Sequence, residues 1–154
     1  MQQDQSTNKK LQLTFNIRQI QVINFMIDNS PEHQMLKADH GYTFEIHAAG
    51  LVDPENKLVG INFGTSVFTS EAKNDKVCEL VIRVTFHILN FEEIAKKSDN
   101  SYLIPDPFMH HLIALTLATA RGILFEKVQG TFLANLVLPI IDVTKLKKRD
   151  VEEK

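Results

Sequence analysis

Four stretches of the chain alternate apolar and polar residues, and this alternation constrains the fold more than any other feature of the sequence. Alternating runs begin near Leu11, Tyr42 and Val59. The clearest run covers residues 78–88 and places six apolar residues on one face: Cys78, Leu80, Ile82, Val84, Phe86 and Ile88. A period of two is typical of half-buried β-strands, and polar turns separate the runs. The pattern predicts an antiparallel meander of four strands with one solvated face.

Two of these runs contain irregularities. In the first run, the apolar residues change phase near Ile20 and return to the earlier phase from Ile23. A slip of one residue exchanges the two faces of a strand, so a bulge or a strong bend is expected there. In the third run, Gly60 and Gly64 lie on the face opposite to the apolar residues. Glycines on one face allow a bulky side chain or another backbone to approach closely.

The apolar period changes after residue 90. Residues 91–106 form a linker, and Asp106-Pro107 predicts a helix start with a carboxylate cap and proline at the first helical position. Apolar residues recur at helical spacing beyond this point, and Gln129-Gly130 predicts the helix end. Residues 142–154 are charged and predict a short terminal helix. The fold class is therefore α+β: a four-stranded antiparallel sheet, then a long helix and a short C-terminal helix.

Length and charge exclude several classes of protein. The chain has 154 residues, the length of one domain, and its net charge of −2 argues against a dedicated nucleic-acid binder. We expect no membrane span, because His110, His111 and Arg121 interrupt the most apolar stretch before it reaches about 18 residues. The polar N-terminus does not resemble a signal peptide, so we expect a cytoplasmic protein.

Motifs for catalysis are missing from the sequence. It contains no GxxxxGK[ST] or GxGxxG phosphate loop and no GxSxG nucleophile turn. His110 and His111 are adjacent, so on a helix they point roughly 100° apart and cannot chelate one metal ion. Cys78 shares the apolar face of its strand and is interpreted as a core residue. We therefore expect no cofactor, no metal site and no enzymatic activity.

Four short segments, in order, resemble the SecB family of bacterial export chaperones. TFNI at 14–17 is similar to the family's opening TFxI strand, and CEL at 78–80 to its CEV segment. GTFL at 130–133 resembles the RGTFP turn that follows the main helix, and NLVLPI at 135–140 resembles the LNLAPV stretch. On this resemblance we divide the chain into a disordered N-terminus over 1–10, a single SecB-like domain over 11–148 and a charged tail over 149–154.

The resemblance implies an ATP-independent holdase chaperone. Members of the family form a dimer of dimers, hold unfolded preproteins and pass them to the SecA motor. The residues expected to line the client groove are the apolar ones of the linker and helix start: Phe91, Tyr102, Leu103, Ile104 and Phe108. Asp28 and Glu79 match positions at which the family's acids dock SecA, whereas Asn24 replaces a third acid.

Two alternatives stay open. The segment LATAR at 117–121 departs from the family's usual Pro-aromatic-Ala-Arg sequence, and the linker before the helix is shorter. A SecB-like chaperone serving a toxin–antitoxin pair is therefore the first alternative. The second is a hotdog-like enzyme or small-molecule binder, which also pairs a sheet with a long helix, although in that fold the helix lies between strands.

Overall fold

A computed structural model describes residues 10–37 and 39–146. The sheet is four-stranded and antiparallel, as predicted, with the strand order β1-β4-β3-β2. Its strands are β1 (Phe15–Ile27), β2 (Thr43–Asp53), β3 (Leu58–Phe68) and β4 (Lys76–Ile88). The other elements are the short helices α1 (Pro31–Gln34) and α2 (Phe91–Ile94), the hairpin strands β5 (Lys96–Ser98) and β6 (Ser101–Leu103), the long helix α3 (Asp106–Lys127) and a 3-10 turn (Val143–Lys145).

The predicted meander is wrong in one step. Strands β2, β3 and β4 follow one another as a meander, but β1 pairs with β4 and not with β2. The connection over residues 28–42 therefore links the two opposite edges of the sheet. Alternation in a sequence determines which face of a strand is buried, but it does not identify the neighbouring strand.

The irregularity predicted in the first strand is confirmed. The pairing of β1 with β4 shifts between Ile17 and Gln19 and again between Val22 and Asn24. Each shift leaves one residue of β1 without a partner in β4. Because of the two shifts, the apolar residues before and after the phase slip lie on the same face of the sheet.

Helix α3 packs against the inner face of β3 and β4 and forms the core with it. Cys78 is fully buried in this core, as expected for a structural residue. Fully burying a large aliphatic or aromatic side chain contributes about 1.5–3 kcal/mol. The largest buried side chains of these strands and of α3 are Ile61, Phe63, Leu80, Ile82, Phe86 and Ile88 of the sheet and Leu112 and Leu124 of the helix.

The start of α3 differs from the prediction. Asp106 is the first helical residue, and the cap residue is Pro105, which makes no side-chain cap hydrogen bond. Pro105 has an extended conformation, with φ −54° and ψ 141°, and its carbonyl accepts the first helical hydrogen bonds from Phe108 and Met109. The predicted helix end is close to the observed one, and Gly130 adopts the left-handed conformation with φ 76°.

The linker predicted over 91–106 has its own structure. It contains α2 and the hairpin of β5 and β6, which the sequence pattern did not indicate. Of the helix predicted within 142–154, the described residues contain a 3-10 turn over Val143–Lys145. Residues 147–154, which include the charged tail, lie outside the described part of the chain, as do residues 1–9.

Among the described residues, α3 is the one helix that could cross a membrane by length and composition. Its most apolar window has a mean hydropathy of 1.4, so His110, His111 and Arg121 do not exclude a membrane span, contrary to the prediction from the sequence. The core helix of a globular domain meets the same criterion. Because α3 packs on β3 and β4, the sheet covers one apolar side of the helix.

Candidate functional site

A groove with a volume of about 1050 Å³ lies between the edge strand β2, the β5–β6 hairpin and the beginning of α3. One wall is the stretch Ala48–Val52 of β2, and the opposite wall is Ser101–Ile104. Met109 and Ile113 of α3 line the space between the two walls. The groove is partly open to solvent, so a ligand can reach it from outside.

The β2 wall offers a backbone edge and very small side chains. In the described part of the chain, β2 pairs with β3 alone, so its outer edge is unpaired. Such an edge presents N–H and C=O groups that can bind an extended chain. Gly50 lies directly against Met109, since a Cβ atom at Gly50 would be 2.9 Å from the Met109 Sδ. The Met109 thioether therefore packs on the backbone of β2.

The hairpin wall is exposed and carries apolar side chains. All six residues of β5 and β6 are exposed, and Leu103 is 57% exposed. The Tyr102 ring packs on the buried ring of Phe91, with the ring centroids 5.8 Å apart and the planes at 49°. Phe91 thus supports the hairpin from below and leaves the neighbouring Leu103 accessible to a ligand.

The five predicted groove residues do not all occupy the same place. Tyr102, Leu103 and Ile104 line the groove, although Ile104 is largely buried. Phe91 is 3% exposed and contributes through Tyr102, and Phe108 is half-buried against the core and does not line the groove. The prediction did not include Met109 or the small residues of β2. The run Ala-Ala-Gly at 48–50 was the available signal for a close approach of another chain.

Glu79 lies on the outer face of the sheet, as the alternation predicts, and it already has a cationic partner. Its carboxylate is 2.5 Å from the Lys76 Nζ, and it accepts hydrogen bonds from Asn24 (2.7 Å) and Ser66 (3.3 Å). The contact with Lys76 has the largest effect, and together these contacts lower the pKa of Glu79. Lys76 therefore offsets the negative charge of this carboxylate at the surface.

Asp28 follows the end of β1 and is also paired. Its carboxylate accepts a hydrogen bond from the Ser30 backbone N–H and lies 3.4 Å from Nδ1 of the buried His33. The other ring nitrogen of His33 is 2.9 Å from Asp75. The hydrogen bond with Asp75 is the largest influence on His33 and raises its pKa. Both acids proposed for docking thus lie beside a basic side chain.

Ser30, His33 and Asp75 have the connectivity of a serine–histidine–acid triad, with Ser30 Oγ 3.0 Å from His33 Nδ1. A general base must be neutral to accept a proton from the serine. Two carboxylates around His33 favour its charged form, so this arrangement is a poor candidate for nucleophilic catalysis. Over residues 10–37 and 39–146, no three His, Cys, Asp or Glu side chains are placed to hold a metal ion.

No protein-family model matches the sequence, and no curated protein matches it. Among solved structures, the chain is similar to the SecB-like chaperone Rv1957 of Mycobacterium tuberculosis, solved in complex with a ChAD peptide from the Rv1956 HigA1 antitoxin. That alignment has a TM-score of 0.52 and 14% identity, and it covers 83% of this chain and 90% of that one. A protein of unknown function from Streptococcus agalactiae aligns with a TM-score of 0.45 and 14% identity over 84% of this chain and all of that one. The first likeness shows that the chain has a SecB-like fold.

Proposed function

We propose that this SecB-like protein is an ATP-independent holdase chaperone that binds extended segments of unfolded polypeptide in the groove beside β2. The observation that carries the proposal is the position of an unpaired strand edge opposite an exposed apolar hairpin wall. An extended chain pairs with such an edge through its backbone and places alternate side chains against apolar groups. The antitoxin peptide bound to the structurally similar chaperone supports a polypeptide as the class of ligand.

The composition of the groove explains a broad client range. Each client side chain buried against Leu103, Ile104 or Met109 contributes about 1.5–3 kcal/mol, whatever the exact sequence. Met109 is unbranched and flexible, so it adapts to different shapes. Backbone pairing with β2 adds affinity that does not depend on side chains. These are the properties expected of a binder of many unfolded chains.

We further propose that several copies assemble, because two apolar surfaces of the chain are uncovered. Ile17, Ile20 and Val22 lie on the helix side of β1, but each is at least 40% exposed. The outer face of α3 carries the small exposed residues Ala114, Ala118 and Gly122. Contiguous exposed apolar patches are typical of interfaces, and the SecB resemblance favours a dimer of dimers. Linked grooves would then increase affinity through effective concentration.

A client-aggregation assay tests the chaperone proposal. We expect the protein to reduce light scattering from a chemically denatured client without added nucleotide. Changing Tyr102 and Leu103 together to serine should weaken this effect while the circular dichroism spectrum is kept. Leu89→Ser is the matched control, because Leu89 is 48% exposed and does not line the groove. Unchanged scattering with the wild-type protein would refute the proposal.

The pairing of Asp28 with His33 and of Glu79 with Lys76 weakens the case for delivery of clients to SecA and favours the alternative role in a toxin–antitoxin system. An acid-seeking motor would have to compete with cations that these acids already contact. We therefore expect no measurable binding of a SecA motor at low or high salt. Binding to the wild type that is lost in Asp28→Lys with Glu79→Lys would instead establish the export role.

The SecB-like order of elements also weakens the enzyme alternative. Helix α3 follows all four strands of the main sheet, whereas a hotdog-like domain has its long helix between strands. This order supports our proposal that the protein acts by binding polypeptides, without catalysis and without a cofactor. A cytoplasmic location, where newly made and unfolded chains are found, fits this role and remains a prediction.

A further inference from the structure

His33 lies at a junction of three segments that are distant in the sequence. It is buried, at 6% exposure, in the short helix α1 after β1. Its Nε2 atom is 2.9 and 3.0 Å from the two carboxylate oxygens of Asp75, in the turn between β3 and β4. Its Nδ1 atom is 3.0 Å from Ser30 Oγ and 3.4 Å from the carboxylate of Asp28 at the end of β1.

The third segment follows α3 and contacts the face of the imidazole ring. The ring of Phe132 stacks on His33, with centroids 6.1 Å apart and planes at 23°. Phe132 also lines a smaller cavity of about 230 Å³, together with Tyr42 and Phe44 near the start of β2. The Thr69 hydroxyl holds Asp75 in place by donating a hydrogen bond of 2.8 Å. His33 therefore connects β1, the β3–β4 turn and a wall of this cavity.

We propose that His33 is a proton-operated latch, which fastens these three segments when it is charged and releases them when it is neutral. A charged imidazole has two N–H donors, so Nε2 can donate to Asp75 while Nδ1 donates towards Asp28. A neutral imidazole has a single N–H donor. A charged ring is also attracted to the face of Phe132. Loss of the proton removes both ion pairs and this attraction, and it leaves Nδ1 able only to accept a hydrogen bond from the Ser30 hydroxyl.

The direction of the pH dependence follows from the groups around His33. Asp28 and Asp75 are the charged groups that act on it, while Ser30, Thr69 and Phe132 are uncharged. The hydrogen bond with Asp75 raises the pKa of His33 above its ordinary value, although burial opposes this. A raised pKa in the folded state gives stability that is complete below the unfolded value and is lost as the pH rises through the folded value. His33 lowers the pKa of Asp75, so Asp75 stays ionised into acidic solution.

Hydrogen–deuterium exchange of the full chain at about pH 5.5 and about pH 8.5 tests the latch, with rates corrected for intrinsic exchange. We expect residues 28–34, 69–75 and 131–138 to lose protection together at the higher pH. Between the lower and the higher pH, the equilibrium constant for opening of these segments should increase about tenfold for each unit by which the pKa of His33 in the folded protein exceeds its value in the unfolded chain. Equal protection of these segments at both pH values in the wild type would overturn the proposal.

Variants separate the latch from a general pH effect. His33→Gln cannot carry a charge, so its three segments should be open to the same extent at both pH values. Asp75→Asn keeps the histidine, and NMR titration of its ring should show a pKa moved down towards the ordinary value. His87→Gln is the control, since His87 lies beside Asn16 at the end of β4 that is far from the β3–β4 turn, and the pH dependence should persist. A pH dependence that is retained in His33→Gln, or that is as large in Asp75→Asn as in the wild type, would refute the latch.

Discussion

At the scale of single residues, burial determines the reactivity of the lone cysteine. Cys78 is fully buried, and desolvation raises the pKa of its thiol to about 12, with a further contribution from the negative charge of Glu79. The thiolate is the reactive form, so both access and ionisation protect this residue at neutral pH. We expect thiol reagents to leave the native protein unmodified and to label it once denaturant unfolds it. Rapid labelling without denaturant, measured by mass spectrometry, would contradict this.

Thr65 is a second residue whose environment predicts a measurable effect. It is fully buried on β3, and its hydroxyl has no hydrogen-bond partner among the described residues. An unsatisfied buried polar group costs about 1–3 kcal/mol. Thr65→Val keeps the shape and removes the hydroxyl, so it should raise the free energy of unfolding by about 1 kcal/mol in urea titrations. In Thr116→Val, which removes a hydroxyl that donates to the Leu112 carbonyl, no comparable gain is expected.

At the scale of elements, the sequence predicts faces better than neighbours. The phase slip in the first strand correctly indicated the two register shifts, because each shift changes which residues point inwards. The same pattern could not show that β1 pairs with β4, since that pairing depends on contacts between residues more than fifty positions apart. Strands β5 and β6 have three residues each, which is too short for alternation to be recognised.

The candidate groove was predicted only in part, for a related physical reason. Tyr102 and Leu103 stand out because large apolar residues in a linker must either be buried or bind something. The β2 wall works through an unpaired backbone edge and small side chains, such as that of Ala48, and these leave little trace in hydrophobicity. Phe91 was assigned to the groove by its apolar character, although the structure places it beneath Tyr102.

The contact between Gly50 and Met109 gives a prediction for the groove. A Cβ atom at Gly50 would lie 2.9 Å from Met109 Sδ, so Gly50→Val should displace the flexible methionine into the groove. We expect weaker binding of an extended client peptide, with Kd increased by about tenfold, which corresponds to about 1.4 kcal/mol. Fluorescence anisotropy of a labelled peptide measures this. Gly41→Val is the control, because a Cβ at Gly41 meets nothing within 4 Å, and unchanged affinity of Gly50→Val would contradict the prediction.

At the scale of the whole molecule, the unit has two layers, and its helix layer covers only part of its sheet. Helix α3 packs on β3 and β4, whereas it contacts β1 near the two ends of that strand. At one end His111 contacts Phe15, and at the other Lys127 lies over the Phe25 ring. The central part of β1 between these contacts is left uncovered. The adjoining outer face of α3 has small side chains, which allow another backbone to approach closely. A second copy of the chain can cover both surfaces at once.

The outer face of α3 supplies the test of assembly. Ala118 is exposed at the middle of this face, and Ala118→Arg would place a charge and a long side chain where a second copy must pack. We expect the wild type to sediment with a mass well above the 17.5 kDa of one chain at micromolar concentration, and Ala118→Arg to sediment close to that mass with its circular dichroism retained. Glu71→Arg is the matched control, since Glu71 is exposed in the turn between β3 and β4, on neither α3 nor β1, and it should assemble like the wild type. If the grooves act together, the dissociated variant should also suppress client aggregation less per subunit, because the gain from effective concentration is lost. A wild-type protein that sediments as a single chain would contradict the assembly, and the groove would then have to bind clients one subunit at a time.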